Sequence, residues 1–422
     1  MGPGPPAQMD DGKKIMARVL YVSYDGMTDP LGQSQVLPYL VALSAKGYRF
    51  TLLSFEKKNR FQKEKHIIEE ITRKAAIDWV PLTYTRNPPV LSKIYDRWRL
   101  DNMAFRLFRQ QRFDMIHCRS YVAAETGLRL KMKFGCKFLF DMRGLWADEK
   151  VDSGQWNLYN PFFRRVYRHY KIKERQFLEN ADGIISLTRA AKAELTAREE
   201  YRHLDIDVIP CCADLDHFNY QGLNRDDLEN LRKSLGIEPG KKVISYLGSI
   251  GGWYMTKEMF AFYKRLLEKH PEFLMLLMTK DDPSFIQKEI AESGIPAEKV
   301  ITRYAGRNEL PLYIALSDCS IFFIRPTYSK IASSPTKHAE LMGMGIPVIC
   351  NNIGDTGAVI DDTATGLVVK EFTEKGYDQV IGRLDWLLAV PKEKIRAAAF
   401  RYFDLEKGAG DYLQVYKKIL KD

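Results

Sequence analysis

The segment from 333 to 350 carries the residues whose types and spacing best suit a chemical role. A loop of small residues precedes a short helix that is expected to begin near Thr336, and a glycine and a proline end this helix before a buried strand. Free amide groups at a helix start attract anions, and Lys337 adds a positive charge beside them. Glu340, one turn further along, can accept hydrogen bonds from a diol. The spacing therefore suits a diphosphate at the helix start and a ribose at Glu340, as in a nucleotide sugar, although ordinary strand-loop-helix units of α/β proteins are the alternative.

Two glycine-containing turns directly follow predicted strands. Gly32 lies in the turn after the first strand of the chain, and Gly248, Ser249 and Gly251 lie after a strand in the second half. Glycine lets the backbone approach a ligand closely. Neither turn has the Gly-x-Gly-x-x-Gly pattern of dinucleotide-binding proteins, so a nicotinamide cofactor is not expected. Lys257, a few residues beyond the second turn, is either a phosphate contact or a solvated lysine on a helix surface.

Polar residues also mark two strand ends in the first half of the chain. Asp141 and Arg143 alternate with apolar neighbours at the end of an apolar run, which places both on one side of the strand. His117 ends another predicted strand that is expected to open onto the same region. These three residues are the catalytic candidates, and a purely structural Asp141–Arg143 pair or a structural histidine is the competing interpretation.

The segment from Glu340 through Gly345-Ile346-Pro347-Val348 resembles the nucleotide-sugar motif of retaining GT-B glycosyltransferases of the family-four, or group 1, type. The resemblance extends over roughly residues 16–420. It implies transfer of a sugar from a nucleotide diphosphate donor to a glycan or lipid-linked acceptor, with retention of anomeric configuration, in the synthesis of surface polysaccharides or glycoconjugates. Family members usually carry a second Glu eight residues before Glu340, where this chain has Ala332. A double displacement through that position is therefore excluded.

The resemblance also assigns roles to individual residues. Arg143 would reach toward the transferred sugar, although the Asp that usually follows is Gly144 here. Ser249 stands where the family commonly has an Arg, so Lys257 and Lys337 are the expected cations for the leaving diphosphate. The complete set of residues expected to bind the donor is Gly32, Gly248, Ser249, Gly251, Lys257, Arg307, Asn308, Ser334, Pro335, Thr336, Lys337 and Glu340, with Arg307 and Asn308 at the base.

No metal or cofactor is expected. Asp214-Leu215-Asp216 matches the short Asp-x-Asp signature of a different glycosyltransferase fold, but it lies at the predicted domain junction and is common by chance. The six cysteines show no zinc-binding spacing and are too few for a disulfide scaffold, so they are expected to be free thiols. The phosphate charge is instead expected to be neutralised by lysines and helix ends.

The 422 residues alternate between strand-like apolar runs and helical patterns in two successive series, which favours two Rossmann-like, doubly wound α/β domains facing one another across a cleft, the GT-B fold. The predicted strands are 18–24, 49–55, 115–117, 137–140, 183–187 and 206–209 in the first series and 243–247, 273–278, 300–304, 319–324, 347–351 and 366–369 in the second. The predicted parts are a disordered tail (1–14), an acceptor domain (15–215), a nucleotide-sugar domain (216–400) and a terminal helix (401–422) that crosses back to the first domain, as in the family.

The charge is divided unevenly along the chain. Residues 1–200 hold 35 Lys and Arg against 23 Asp and Glu, whereas residues 201–422 hold 29 against 31. Such a basic first half suits an anionic partner, and the basic-aromatic segments 95–112 and 161–177 suggest the surface of an anionic membrane. With no secretory signal and no long apolar stretch, a cytoplasmic protein, peripheral on the inner face of the membrane, is expected. A nucleotide-sugar epimerase of the same fold is the nearest alternative, whereas a nucleic-acid-binding protein is disfavoured because no known nucleic-acid module accompanies the basic patches.

Overall fold

The structure of the protein, a computed structural model, describes residues 9–10, 13–14 and 16–421, without the side chains of 9–10, 13–14, 89 and 90. Most of the predicted tail, residues 1–8, 11 and 12, lies outside the described residues. Met9–Asp10 (β1) and Lys13–Lys14 (β2) form a short antiparallel pair. The rest of the chain folds into two compact units, and these units are divided at Ile209/Pro210 and at Asp404/Leu405.

Unit 1 contains a seven-stranded parallel sheet. Its strands are β3 (Ala17–Ser23), β4 (Tyr48–Glu56), β5 (Asp78–Thr83), β6 (Met115–Arg119), β7 (Lys137–Asp141), β8 (Gly183–Ser186) and β9 (Ile206–Val208). Its first helices are α1 (Pro30–Gln35), α2 (Leu37–Ala45), α3 (Lys58–Lys74), α4 (Pro89–Gln110), α5 (Ser120–Phe134), α6 (Trp146–Asp152), α7 (Pro161–Asn180) and α8 (Arg189–Thr196). The strand order β5-β4-β3-β6-β7-β8-β9 reverses direction between β3 and β6.

Unit 2 contains a six-stranded parallel sheet. Its strands are β10 (Lys242–Leu247), β11 (Phe273–Met278), β12 (Val300–Arg303), β13 (Cys319–Phe322), β14 (Val348–Asn351) and β15 (Gly366–Val369). Its helices are α9 (Arg225–Ser234), α10 (Thr256–Lys269), α11 (Pro283–Ser293), α12 (Leu310–Ile314), α13 (Thr336–Gly343), α14 (Thr356–Thr363), α15 (Glu374–Ile381), α16 (Leu384–Leu388) and α17 (Lys392–Phe403). The order β12-β11-β10-β13-β14-β15 reverses between β10 and β13.

The central strands explain why the sequence folds in this way. Every residue of β11, Phe-Leu-Met-Leu-Leu-Met, is buried. A strand that is apolar on both faces needs cover on both sides, and the crossover helices of a parallel sheet provide it. The two sheets confirm the predicted α/β class with two Rossmann-like units.

The last helix, α18 (Leu405–Leu420), belongs to unit 1 and packs on its early elements. Its apolar stripe includes Tyr412 and Tyr416, whose rings lie 5.2 Å from the rings of Tyr39 and Tyr48, respectively. The helix thereby returns the end of the chain to the unit that contains its beginning.

Two features differ from the pattern in the sequence. The strand β5, Asp-Trp-Val-Pro-Leu-Thr, is not among the predicted strands, and it lies at the edge of its sheet, where Pro81 is tolerated because one side of the strand needs no hydrogen bonds. The second unit begins at Pro210 rather than at 216, because residues just after Pro210 already bond within unit 2. The backbone amide of Cys211, for example, donates to Ser334 Oγ at 3.0 Å.

None of the helices in the described part of the chain is long and apolar enough to span a bilayer.

Candidate functional site

The candidate donor site is at the carboxyl ends of β10 and β13 in unit 2. In an open α/β sheet, ligands bind beside the carboxyl ends of the two strands between which the strand order reverses. The loop after β10, residues 248–252, carries the predicted glycines, and the segment after β13 leads through a 3-10 turn, Tyr328–Ala332, into α13. The two motifs that the sequence singles out are therefore brought together by the topology.

The loop 248–252 adopts a shape that only glycine tolerates well. Gly248, Gly251 and Gly252 have φ values of +117°, +77° and +63°, in the region that side chains disfavour. The backbone amide of Gly248 donates to the carbonyl of Met278 at 2.9 Å, and that of Gly251 donates to Thr256 Oγ1, also at 2.9 Å. The loop is thus held in place by its own neighbours.

Gly248 also makes room for a cation. A Cβ atom at this position would lie 2.9 Å from the Nζ atom of Lys337. The ammonium group of Lys337 therefore lies directly against the glycine loop, as close as the missing side chain permits.

Lys337 is buried, with 7% of its surface exposed. Its Nζ atom lies 3.6 Å from the ring centroid of Tyr254 and 4.3 Å from that of Tyr246, and it has no hydrogen-bond partner among the described residues. Burial lowers the pKa of Lys337 to about 7, and the nearby Glu340 offsets only part of this effect. Cation–π contacts compensate for lost hydration only partly, so an anion held against this ammonium would be strongly favoured.

Glu340 lies one helical turn after Lys337 and is half-buried. Burial raises the pKa of Glu340 to about 7, although the positive charges of Arg307 and Lys337 act to lower it. A carboxyl group in this setting gains from hydrogen-bond donors that keep it ionised, which a ribose diol would supply.

The other predicted donor residues fall into three groups. Ser334 Oγ accepts from the amide of Cys211, Pro335 occupies the position before α13, and Thr336 begins the helix, where no side chain caps the first amides. Arg307 and Asn308 are exposed. The Arg307 carbonyl lies 3.0 Å from His217 Nε2, and its guanidinium is 5.7 Å from the ring of Phe218.

Lys257 occupies the first turn of α10 and is exposed, unlike the buried Lys337. The cation that touches the glycine loop is thus Lys337, and a phosphate contact for Lys257 stays a prediction. Ala332, at the position where the family resemblance places the first Glu, is buried and 3% exposed.

Sequence reasoning missed the aromatic and basic side chains that surround Lys337. Tyr246 and Tyr254 form its ring contacts, and a second buried lysine, Lys330, lies 3.8 Å from the ring of Trp253. The adjacent Trp253-Tyr254 pair, coming directly after two glycines, is the signal in the sequence that could have indicated this cluster.

Asp214, the first residue of the Asp-x-Asp motif, has a local structural role. Its Oδ1 accepts from the backbone amides of Asp216 at 3.1 Å and His217 at 3.0 Å, which closes a turn. Within the described residues, no group of three or more His, Cys, Asp and Glu side chains is arranged to hold a metal ion. Independence of metal stays a prediction.

In unit 1, Gly32 is required by close packing. A Cβ atom there would lie 2.2 Å from the carbonyl oxygen of Gly26 and 2.6 Å from the Cα of Met27, so no larger residue fits. This contact accounts for the glycine by itself, and a role under the donor phosphates stays a prediction.

The three catalytic candidates of unit 1 lie together near the carboxyl end of β7. His117 does not end its strand as predicted, because β6 continues to Arg119. His117 Nε2 is 3.5 Å from Asp141 Oδ2, and a guanidinium nitrogen of Arg143 is 3.9 Å from Asp141 Oδ1. The hydroxyl of Tyr412 donates to Asp141 Oδ2 at 2.9 Å, and that of Tyr416 lies 2.7 Å from His117 Nδ1. Sequence reasoning missed both tyrosines, whose spacing of four residues on the last helix is the only signal of a shared face.

The side chains of all three residues are largely buried, and that of Arg143 is 7% exposed. His117 is 1% exposed and Asp141 is 0% exposed, so in this structure neither lies open to a substrate. Burial lowers the pKa of His117, and although burial opposes ionisation of Asp141, the charge of Arg143 and the nearby His117 ring bring the pKa of Asp141 below the usual value. The neutral histidine and the ionised aspartate are thus suited to hold Arg143 in place, and a direct catalytic part for them stays a prediction.

Arg143 has an unusual backbone. Its φ is +56°, and the next residue, Gly144, has a φ of +143°. A non-glycine residue in the left-handed region costs of order 1 kcal/mol. Ala76, Ser120 and Ala364 also have positive φ values, so the backbone of Arg143 does not by itself identify a site, and its action on a ligand stays a prediction.

Two protein families match the chain. The family described as Glycosyltransferase Family 4 matches residues 35–217, and the family described as Glycosyl transferases group 1 matches residues 227–399. A D-inositol 3-phosphate glycosyltransferase of Rhodococcus erythropolis is 23% identical over 322 residues, which are 72% of this chain and 68% of that protein. Alignments with three further relatives of the same name cover 58% to 64% of their lengths.

Solved structures share the fold. The sucrose-phosphate synthase of Thermosynechococcus elongatus aligns over 96% of this chain and 99% of its own, with a TM-score of 0.70 and 16% identity. Anabaena HepE, crystallised with UDP and glucose, aligns over 95% of this chain and 99% of its own, with a TM-score of 0.65 and 14% identity. The chain therefore belongs to the group 1 glycosyltransferases with a family-four amino-terminal half, enzymes of the GT-B fold that transfer glycosyl groups.

Proposed function

We propose that this enzyme transfers a sugar from a nucleotide diphosphate donor to a hydroxyl group of a glycan or lipid-linked acceptor, in the synthesis of a surface polysaccharide or glycoconjugate. The observation that carries the proposal is the buried ammonium of Lys337, which lies against the glycine loop 248–252 without a hydrogen-bond partner among the described residues. The diphosphate is the natural partner for such a cation, because phosphate oxygens are strong, charged acceptors.

The donor would lie along the carboxyl ends of β10 and β13. Its diphosphate would take hydrogen bonds from Lys337 and from the first amides of α13, and its ribose would bind Glu340. The base would lie toward Arg307 and Asn308, because the positive charge of Arg307 acts to lower the pKa of Glu340, the proposed ribose ligand. The UDP and glucose bound by the structurally similar Anabaena HepE support a donor of this chemical class.

The proposed reaction retains the anomeric configuration. The acceptor oxygen forms a bond to the anomeric carbon on the face from which the nucleotide leaves, while the bond from that carbon to the phosphate oxygen breaks. The leaving phosphate takes the proton of the acceptor hydroxyl. The side chain of Ala332 has no carboxylate that could form a covalent intermediate, so the protein contributes positioning and charge stabilisation, with Lys337 facing the charge that develops on the phosphate.

The sugar contacts that a Glu at position 332 would make are assigned to the neighbouring Ser333 and Ser334 and to backbone groups. Ser334 Oγ already accepts a hydrogen bond from the backbone amide of Cys211. The hydroxyl proton of Ser334 would therefore be available for an oxygen of the sugar. We propose that no divalent metal takes part. The basic balance of the first 200 residues supports action at the inner face of a membrane, where a lipid-linked acceptor would be found.

A thermal-shift panel of UDP-, GDP-, ADP- and TDP-sugars tests the donor class. We expect at least one nucleotide sugar to raise the melting temperature of the protein in the presence of EDTA. When the protein and that nucleotide sugar are incubated with a lipid extract that contains the acceptor, the sugar should be recovered in the lipid-linked glycans. Absence of stabilisation by every donor would refute the proposal. Conversion of the nucleotide sugar without any transfer to acceptor would favour an epimerase.

A further inference from the structure

The first half of α4 carries an apolar stripe that faces solvent. The stripe consists of Leu91, Ile94, Tyr95 and Trp98, which are 63%, 61%, 51% and 60% exposed. Positions separated by three, four and seven residues share one face of an α-helix, so these four side chains form one continuous patch. Large exposed apolar patches on a folded chain generally mark an interaction site.

The opposite face of the helix fixes this orientation. On that face, the side chains of Ser92, Asp96 and Leu100 are buried against the rest of unit 1. Asp96 Oδ2 accepts from the hydroxyl of Tyr24 and from the amide of Thr85, both at 3.0 Å. The helix is therefore anchored by a buried, hydrogen-bonded carboxylate, and it cannot turn its stripe inward without breaking these bonds.

The exposed charges of α4 itself are positive. Further along the same face, Arg106 and Arg109 are exposed, and the Arg99 guanidinium lies 5.4 Å from the ring of Tyr95. The two acids of α4 are Asp96, which is buried, and Asp101, which pairs with Arg129. An apolar tip followed by arginines on one helical face is the composition of a segment that lies in the interface of an anionic bilayer.

We propose that this stripe, Leu91, Ile94, Tyr95 and Trp98, docks unit 1 on the surface of a bilayer that contains anionic lipid. Trp98 and Tyr95 would lie at the level of the headgroups, where aromatic side chains with a polar edge are favoured, and the arginines would contact phosphates. The inference rests on the proposed function only in placing the lipid-linked acceptor at the same surface. A second copy of the chain is a poorer occupant, because a symmetric contact would bring the arginines of two such faces together.

Vesicle flotation with the full-length protein tests the inference. We compare vesicles of equal parts phosphatidylglycerol and phosphatidylcholine with vesicles of phosphatidylcholine alone. The protein is expected to float with the anionic vesicles, and the double substitution Ile94→Ser/Trp98→Ser is expected to weaken this binding at least ~10-fold. Arg106→Gln/Arg109→Gln should weaken it as well and should reduce its sensitivity to salt.

The matched control is Ile67→Ser/Met132→Ser, which removes two exposed apolar side chains, 44% and 74% exposed, from other helices of unit 1. It should bind vesicles as the wild type does. Equal flotation of the stripe variant and the wild type, or equal binding to both vesicle types, would overturn the inference. So would a stable dimer in sedimentation equilibrium that the stripe variant abolishes.

Nucleotide-sugar binding, measured by calorimetry on the same variants, separates this inference from the proposed function. All three double variants should bind the donor as the wild type does, which also shows that they are folded. Donor binding without flotation would refute only the docking surface, whereas flotation without donor binding would refute only the proposed transferase donor class.

Discussion

Replacing Lys337 by methionine changes the feature on which the proposed donor site depends. Methionine keeps most of the length of the side chain and its contact with the rings of Tyr246 and Tyr254, but it removes the ammonium group. Two opposite effects are expected. The free protein should become more stable, because a poorly solvated charge is gone, whereas binding of a nucleoside diphosphate should become weaker, because its cation is gone.

The structure gives the size of both effects. The pKa of Lys337 falls from its ordinary 10.5 to about 7, which at about 1.4 kcal/mol per pKa unit corresponds to at most ~5 kcal/mol of destabilisation at and below neutral pH. Between pH 7 and pH 10.5 the unfolded chain binds more protons at this lysine than the folded chain does, so the stability of the wild type should rise with pH in that window. A lost charge-assisted hydrogen bond of ~1.5–3 kcal/mol should weaken diphosphate binding by roughly 10- to 150-fold.

Thermal melting from pH 6 to pH 10, together with calorimetric titration of UDP and GDP at pH 7, measures both quantities. Lys288→Met is the matched control, since the side chain of Lys288 is 71% exposed and pairs with Glu292 on its own helix. The charge of Lys337 also acts to lower the pKa of Glu340, so its removal changes the titration of both groups. Comparing Lys337→Met with the double variant Lys337→Met/Glu340→Gln separates the contribution of Glu340 to the pH profile from that of Lys337. A Lys337→Met protein with unchanged nucleotide affinity and an unchanged pH profile of melting would refute the reasoning.

Three further substitutions test neighbouring parts of the account. Glu340→Gln should weaken binding of a nucleoside diphosphate about 10-fold but leave binding of inorganic pyrophosphate unchanged, in calorimetric titrations; equal loss for both ligands would remove Glu340 from the ribose. Gly248→Ala should lower the free energy of unfolding in urea by about 1–2 kcal/mol, because φ is +117° and the added methyl group would lie 2.9 Å from Lys337 Nζ. An unchanged midpoint of urea unfolding would contradict this geometry. Tyr412→Phe should lower the melting midpoint of unit 1 by ~4–8 °C, since it deletes a hydrogen bond to the buried carboxylate of Asp141. A melting midpoint equal to that of the wild type would show that this hydrogen bond does not stabilise unit 1.

The strands that are buried on both faces could be predicted from the sequence, because an unbroken apolar run bounded by polar turns is typical of a central strand in a parallel sheet. The run 273–278 is predicted with the same bounds that β11 has in the structure. The strand β5 could not be predicted, since Pro81 and two polar ends hide an edge strand that needs neither full burial nor all its hydrogen bonds. The other three edge strands, β9, β12 and β15, are predicted, so it is the proline and the polar ends that conceal β5.

The candidate site divides in a similar way. Lys337 and Glu340 could be found because both lie on one short helix at a readable spacing. Their partners could not, because Tyr246 and Tyr254 reach Lys337 only through the meeting of β10 and α13 in space. The same holds for Tyr412, which bonds to Asp141 across 271 residues of sequence. Contacts of this kind are properties of the fold and leave no local pattern in the chain.

The proposed donor site requires that the buried ammonium of Lys337 receive the donor diphosphate. It is tested most directly by NMR titration of the protein labelled with carbon-13 at the lysine ε-carbons, with Lys337→Met to assign the resonance. We predict one lysine with a pKa near 7 in the free protein, and a rise of that pKa by more than one unit when a nucleoside diphosphate is bound, because the phosphate charge favours the protonated amine. A Lys337 resonance that titrates at the ordinary value, or one that nucleotide leaves unchanged, would contradict the account.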